Sequence, residues 1–156
     1  MFNLNYYGAG TLIYHVKCKD EVYVFLGCRK NYPDKGLWSI PGGGWEKEDG
    51  KINGKPDYVE TARRELREET GFYLSSERRN LMHKIWSVHF GKLFNFEVFV
   101  LRAVRMKVPY SYYEFSDVKW FNINKLPDKN ECSMFLYEQI KSLKKFLVKK
   151  GHLSKI

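Results

Sequence analysis

The segment that most constrains this chain is Arg64–Phe72, which reads RELREETGF and follows a glycine-rich stretch at Pro41–Gly44. Glu65, Glu68 and Glu69 are spaced i, i+3 and i+4, so in a helix their three carboxylates share one side. They lie in the C-terminal half of the predicted helix, where the helix dipole opposes each negative charge by about 0.3–1 kcal/mol. An arrangement this unfavourable indicates a bound cation, and carboxylate oxygens favour Mg²⁺ or Mn²⁺.

The glycines add a second part to this site. Gly42 and Gly43 follow a predicted strand and carry no Cβ, so their backbone can approach a metal or a phosphate closely. Taken alone, the acidic helix is an ordinary solvated face and the glycines are an ordinary turn. Both features together, in this order and with Gly71 ending the helix, indicate a metal that holds a phosphate chain.

Much of the remaining chain is strand-forming. Two β-branched and aromatic stretches, 11–16 and 21–28, flank a turn at Lys19–Asp20 and predict a hairpin. Residues 37–40, 81–90, 94–104 and 117–121 predict further strands, and both faces of 94–104 are expected to be partly buried. The polar stretch 46–56 predicts a mobile surface loop.

Two amphipathic helices complete the pattern. The first runs from an N-cap at Asp57 to Gly71, and the second spans 131–150 with lysines largely off its apolar stripe. The stripe of the second helix is Leu136, Ile140, Leu143 and Leu147. The interleaved elements predict an α/β fold, a mixed sheet flanked by helices in an α/β/α sandwich, as a single domain over residues 1–156.

Composition narrows the setting of the protein. A formal charge of +9 favours anionic partners, although it serves solubility equally well. The three cysteines form no CxxC pair, which is typical of reduced thiols in a cytoplasmic protein. We expect no signal peptide and no membrane partner.

The stretch 41–72 resembles the signature of the Nudix hydrolases, G-x5-E-x7-R-E-U-x-E-E-x-G-U, in which U is a bulky apolar residue. The second half of the signature matches at Arg64, Glu65, Leu66, Glu68, Glu69, Gly71 and Phe72. The chain is identified as a MutT-like member of this superfamily. Counting back from Arg64 places the first Glu of the signature on Pro56, so about seven residues are inserted between Gly43 and the helix. We expect Glu46 or Glu48 to replace that Glu.

The resemblance implies Mg²⁺-dependent (or Mn²⁺-dependent) hydrolysis of a nucleoside diphosphate linked to another group, X. It implies metal ligands at Glu65, Glu68, Glu69 and the carbonyl of Gly42 or Gly43, both of which would also contact substrate. It assigns Arg64 the role of orienting a neighbouring carboxylate. Glu114 is the candidate general base and Arg29 the candidate phosphate ligand, with ordinary surface roles as the competing interpretations.

The substrate is less constrained. Residues that mark particular substrate classes in Nudix hydrolases are missing. For example, no proline occurs between Pro56 and Pro109, where ADP-ribose hydrolases carry one. A (deoxy)nucleoside triphosphate is therefore the default substrate. Five aromatic residues are candidates to stack on its base: Trp86, Phe90, Phe94, Phe96 and Trp120. The alternative function is a non-catalytic nucleotide-binding or RNA-binding module with a modified Nudix box. Beside a nucleotide substrate, nucleic acid is a less favoured partner and a homodimer is left open.

Overall fold

A mixed sheet of seven strands forms the centre of the fold in the computed structural model, which describes residues 5–109 and 112–156. The strands are β1 (Tyr7–Cys18), β2 (Glu21–Arg29), β3 (Trp38–Ser39), β4 (Gly42–Gly44), β7 (His83–Phe90), β8 (Phe94–Arg102) and β9 (Phe115–Asn122). Their order is β3-β2-β1-β8-β7, with β4 also paired to β1 and β9 to β2. β1 and β8 run parallel, and the other pairs of this sheet are antiparallel. A separate small hairpin joins β5 (Lys51–Ile52) to β6 (Lys55–Pro56).

Neighbouring side chains of a strand point to opposite sides, so this sheet has apolar side chains on both faces, and a helix covers each face. On one face, Leu12, Val24 and Val98 pack with the apolar stripe of helix α2 (Leu136–Lys149). On the other face lie Ile13, Phe25 and Phe99, with Ala62 and Leu66 of helix α1 (Tyr58–Thr70). The predicted α/β architecture, a mixed sheet flanked by helices, is confirmed.

Helix α1 begins and ends at the predicted caps. The Asp57 side chain accepts a hydrogen bond from the Glu60 N–H, and Gly71 adopts φ of 74° in the left-handed region that favours glycine. These two caps fix the residues at which α1 begins and ends. One helical side therefore carries Ala62 and Leu66 into the core, and the adjacent side carries Glu65 and Glu69 toward β4.

Three local expectations were wrong. The glycine stretch is the edge strand β4 rather than an open turn, because its backbone pairs with residues 8–10 of β1. The polar stretch 46–56 is ordered as a 3-10 turn (Lys47–Asp49) followed by the β5–β6 hairpin. Helix α2 starts at Leu136 rather than 131, because Asp128 and Glu131 close a 3-10 turn and Phe135 has φ of 72°.

The remaining sequence expectations concern the surface and the thiols. Cys18, Cys28 and Cys132 are free, and only Cys132 is buried. Within the described ranges, neither α1 nor α2 is long and apolar enough to cross a membrane. Residues 1–4, where the absence of a signal peptide was expected, lie outside the described residues.

We expect Leu143→Ala to lower the free energy of unfolding by about 2–5 kcal/mol, because this fully buried side chain anchors α2 to the sheet. Denaturant unfolding monitored by circular dichroism measures the change. Lys145→Ala on the exposed side of the same helix is the control and should stay within about 0.5 kcal/mol of wild type. Equal losses in the two variants would contradict this packing of α2.

Candidate active site

The edge strand β4 meets helix α1 where two glutamates reach its backbone. The Gly42 N–H donates to Glu69 Oε2 at 3.2 Å. A Cβ on Gly43 would lie 2.5 Å from Glu65 Oε1, so a side chain there would displace that carboxylate. Glycine at 43 therefore leaves room for the Glu65 carboxylate, and the predicted meeting of the glycines with the acidic helix is present in the structure.

The direction of the β4 backbone distinguishes the two candidate carbonyl ligands. The Gly42 N–H reaches Glu69, and the Gly44 carbonyl accepts from Arg64 Nη2 at 2.7 Å, so both groups point away from β1 toward α1. Main-chain groups of alternate strand residues point to the same side. The Gly42 carbonyl therefore faces the carboxylates, whereas the main-chain groups of Gly43 face β1.

Glu65 and Glu69 form a buried carboxyl pair. Their side chains are only 14% and 3% exposed. Burial and the neighbouring Glu65 charge raise the pKa of Glu69, and burial likewise raises the pKa of Glu65. Arg29 Nη1 lies 4.0 Å from Glu69 Oε1 and offsets only part of this effect.

Glu68 occupies a different environment from the other two glutamates. Its side chain is 57% exposed, and its carboxylate accepts from Arg64 Nη1 at 3.1 Å. Within the described residues, no three acidic, histidine or cysteine side chains already converge on one point. Glu65 and Glu69 thus form the inner part of the predicted ligand set, and Glu68 lies at its rim.

Arg64 is held by a residue that the sequence analysis did not select. Asp49 is buried and accepts from Arg64 Nε at 2.7 Å and from Nη2 at 3.0 Å. Burial alone would raise the pKa of the Asp49 carboxyl. Hydrogen bonds from Arg64, the Glu46 N–H and the Thr61 hydroxyl outweigh burial and lower that pKa, so Asp49 is ionised at neutral pH.

The spacing of Asp49 explains the apparent gap in the signature. Counting forward from Gly43, five residues precede Asp49, which is the G-x5-acid spacing of the resemblance. The insertion is therefore residues 50–56, and it forms the β5–β6 hairpin. Neither Glu46, whose carboxylate is 3.6 Å from Arg64 Nη1, nor Glu48 makes the forked contact. Counting from the glycine rather than from Arg64 would have found Asp49.

The donor set fits a hard divalent cation. Two nearly buried carboxyl groups, a rim carboxylate and an outward-facing glycine carbonyl supply oxygen atoms only, which Mg²⁺ and Mn²⁺ prefer. Two arginines lie at the edges of the pair: Arg64 Nη1 donates to Glu65 Oε1 at 3.0 Å, and Arg29 Nη1 is 4.0 Å from Glu69 Oε1. A metal would stabilise the ionised form of both carboxyls, which burial disfavours.

A cavity of about 500 Å³ opens beside the Gly42 and Gly43 backbone, between the sheet and the start of α2. Its aromatic wall comprises Tyr6, Trp86, Phe94, Phe96 and Phe135. The Tyr6, Phe94 and Phe96 rings lie nearly parallel. The centroid of Phe94 is 5.3 Å from that of Tyr6 and 6.2 Å from that of Phe96. Polar groups of Ser133 and Gln139 also line it. The parallel rings form a surface suited to a flat apolar ligand portion, beside the Gly42 and Gly43 backbone that Glu69 and Glu65 contact.

The structure brings some predicted residues to this cavity and not others. Arg29 lines it and faces Glu69. Among the predicted stacking residues, Trp86, Phe94 and Phe96 are present, whereas Phe90 is exposed outside it and Trp120 packs on Phe25 near α1. Glu114 is half-buried next to β9, and its carbonyl accepts from the Lys30 N–H at 2.9 Å. Residues 110 and 111 of its loop lie outside the described residues.

A family model described as the NUDIX domain matches residues 7–141. The chain belongs to the Nudix family. The predicted membership of the Nudix hydrolase superfamily is confirmed. The sequence matches none of the curated proteins.

Solved structures share the fold of this Nudix domain. The NUDIX domain of Shewanella oneidensis NrtR, complexed with ADP ribose, has a TM-score of 0.69 and 17% identity, covering 94% of this chain and 90% of that one. A MutT/nudix family protein from Enterococcus faecalis has a TM-score of 0.60 and 18% identity, covering 78% of this chain and 45% of that one. A third match is a bifunctional NMN adenylyltransferase/ADP ribose pyrophosphatase from Francisella tularensis, complexed with AMP and a Mn ion. It has a TM-score of 0.58 and 21% identity, and the match covers 94% of this chain and 42% of that one. The Nudix chain thus spans less than half of the latter two proteins.

We expect Asp49→Asn to lower the free energy of unfolding by about 1.5–3 kcal/mol, because it removes a charge-assisted hydrogen-bonding partner of Arg64. Thermal or denaturant unfolding measures the loss. Glu48→Gln, one residue away and exposed, is the matched control and should be near neutral. A larger loss for Glu48→Gln would return the role of the first signature acid to that residue.

We expect Glu69→Gln to change how stability depends on pH when divalent cations are chelated. The folded-state pKa of Glu69 is raised, so its stabilising contribution is full below the unfolded pKa of about 4.3 and is lost as pH rises through the folded pKa. The unfolding free energy of wild type should therefore fall between pH 6 and 8.5 relative to Glu69→Gln. Glu138→Gln, on the exposed side of α2, should parallel wild type. Parallel curves for wild type and Glu69→Gln would contradict the buried carboxyl pair.

Proposed function

We propose that this Nudix domain hydrolyses the pyrophosphate bond of a nucleoside diphosphate linked to another group, with Mg²⁺ or Mn²⁺ as cofactor. One observation carries the proposal: the buried pair Glu65 and Glu69 converges on the glycine strand at the mouth of an aromatic cavity. Such a pair is unfavourable unless a cation joins it, and the adjoining cavity has the size of a ligand site.

The proposed metal ligands are Glu65, Glu68, Glu69 and the Gly42 carbonyl. When bound, the metal would neutralise the phosphate charge and lower the pKa of a bound water. Glu68 is the most exposed of these glutamates, so it is the ligand that can reorient most easily as substrate enters.

Other residues of the chain position this set. Arg64 bonds Asp49, the Gly44 carbonyl, Glu65 and Glu68, so it holds the helix against β4. Gly43 is proposed to contact substrate by allowing its phosphates close to the strand. Arg29 faces both Glu69 and the cavity, which supports a role in binding a substrate phosphate. Glu114 remains the proposed general base.

The nucleoside is proposed to occupy the aromatic cavity. The parallel Tyr6, Phe94 and Phe96 rings offer a stacking surface, and the Gln139 amide offers a donor and an acceptor to a base edge. The ADP ribose and AMP bound by the NrtR domain and the F. tularensis protein support a nucleotide ligand, and the Mn ion of the latter supports a divalent metal. A (deoxy)nucleoside triphosphate is the default substrate.

The alternative of a non-catalytic binding module rested on the loss of an acid at Pro56. Asp49 supplies an acid that contacts Arg64, which removes that reason. We therefore favour an enzyme that acts as a single domain over residues 1–156. A homodimer, a nucleic-acid partner and a cytoplasmic location stay predictions.

We expect Glu68→Gln and Glu69→Gln to lower kcat roughly 100-fold or more on the preferred nucleotide, because electrostatic stabilisation of the reacting phosphates is lost. Phosphate and pyrophosphate release from a panel of nucleoside diphosphate derivatives, with Mg²⁺ or Mn²⁺, measures the rates. Glu138→Gln should retain wild-type activity. Background release by wild type across the panel, with nucleotide binding intact, would favour the binding module instead.

A further inference from the structure

A second cavity of about 500 Å³ lies on the opposite face of the sheet, at the insertion. Strand alternation separates the two cavities: Tyr6 lines the active-site cavity, whereas Tyr7 lines the second one. On β8, Phe94 and Phe96 face the active site, whereas Asn95 and Glu97 face the second cavity. We call this space the hairpin cavity, lined by Tyr7, Trp45, Lys51, Lys55, Tyr58 and Glu97 among others.

The inserted hairpin builds one wall of the hairpin cavity and is fixed at its base. The Gly50 carbonyl accepts from the Trp45 indole N–H at 2.8 Å and from the Asp57 N–H at 3.0 Å. The Lys51 ammonium lies 5.7 Å from the centroid of the Trp45 ring. The insertion therefore holds an aromatic wall and places the cations Lys51 and Lys55 at the exposed edge of the cavity.

The inner end of the cavity is lined by polar side chains, and most of these have hydrogen-bond or ion-pair partners within the protein. Glu97 is 13% exposed and lies 3.1 Å from His89 Nε2 and 3.4 Å from Lys84 Nζ. Asn95 is buried and donates to the Gly91 carbonyl at 2.9 Å. Burial and the Glu97 charge raise the pKa of Tyr58 to about 12, so its hydroxyl stays protonated near neutral pH. The inner end thus presents a carboxylate acceptor beside an aromatic ring.

These features restrict the chemistry of a ligand. A simple anion placed deep in the cavity would meet Glu97, and a simple cation would meet Lys51 and Lys55 on entry. A complementary ligand has hydrogen-bond donors at one end, a flat apolar body, and an anionic group at the other end. A nucleoside monophosphate combines amino or ribose hydroxyl donors, a planar base and a phosphate in one molecule of suitable size.

We propose that the hairpin cavity is a second nucleotide-binding site, separate from the hydrolytic centre. The base lies against Trp45 and Tyr58, amino or hydroxyl groups donate to Glu97, and the phosphate is bound by Lys51 and Lys55. The proposal does not depend on hydrolysis, because the cavity shares none of its lining residues with the active-site cavity.

The test is an NMR titration of the full-length protein with AMP and GMP in the presence of EDTA. Monophosphates contain no pyrophosphate bond and are not consumed, so binding is read alone. Amides of residues 45, 51–55 and 58 report on the hairpin cavity, and amides of 39–43, 94, 96 and 133–139 report on the active site. We expect the first group to shift with its own saturation curve. Lys51→Ala/Lys55→Ala should weaken that curve about tenfold or more while leaving the second group unchanged.

The controls separate nucleotide recognition from simple charge. Lys47→Ala/Lys92→Ala removes two exposed lysines that do not line the cavity and should bind like wild type. Ribose 5-phosphate and inorganic phosphate should shift the first group much less than AMP. The proposal is overturned if that group does not respond to either nucleotide, if it responds equally to ribose 5-phosphate, or if both lysine pairs have the same effect. Loss of hydrolysis in the active-site variants, with this titration unchanged, would leave it intact.

Discussion

The forked contact between Arg64 and Asp49 joins the parts on which the site depends. Asp49 ends a 3-10 turn after the glycine strand, and Arg64 projects from the middle of α1. The same guanidinium reaches the Gly44 carbonyl and the carboxylates of Glu65 and Glu68. A planar group with five donors can hold all these acceptors in one plane, which an ammonium could not do. The strand, the turn and the helix are thereby fixed relative to one another.

That fixation is what allows two carboxyl groups to remain close together and out of water. If α1 could rotate or move away from β4, both carboxyl groups would reach water, since burial and mutual repulsion disfavour their ionised forms. The caps at Asp57 and Gly71 and the core side chains Ala62 and Leu66 prevent this by setting the rotation of α1. Folding energy thus maintains a locally unfavourable arrangement that a divalent cation would relieve. Sites with this property are commonly functional.

The sequence predicted the parts of the fold that depend on local rules. The caps of α1, the β1–β2 hairpin and the apolar stripe of α2 follow from residue types at fixed offsets, and the structure has them. The convergence of Glu65 and Glu69 on the glycines also followed, because a helical face and a preceding strand leave few other arrangements.

What the sequence did not reveal depends on partners distant along the chain. The glycines are a strand only because β1 pairs with them, and periodicity within three glycines carries no sign of this. Asp49 has no helical spacing to its partner Arg64, which lies fifteen residues away on the other side of the inserted hairpin, so only the folded chain pairs them. Phe135 has the left-handed backbone conformation, which is unusual for a bulky residue, so the sequence predicts a helix α2 that begins too early. The sequence also did not show that the two cavities lie on opposite faces of the sheet, because this depends on how β1 pairs with β8.

The inserted hairpin closes on itself where it leaves and rejoins the chain. Lys51 pairs with Pro56, and the Asp57 N–H returns to the Gly50 carbonyl, so the two ends of the segment are neighbours. A segment with adjacent ends can lengthen, shorten or disappear during evolution without moving Asp49 on one side or the start of α1 on the other. The signature is therefore interrupted in sequence but continuous in space. The same junction is a natural place to graft a reporter peptide or a recognition loop next to the candidate active site.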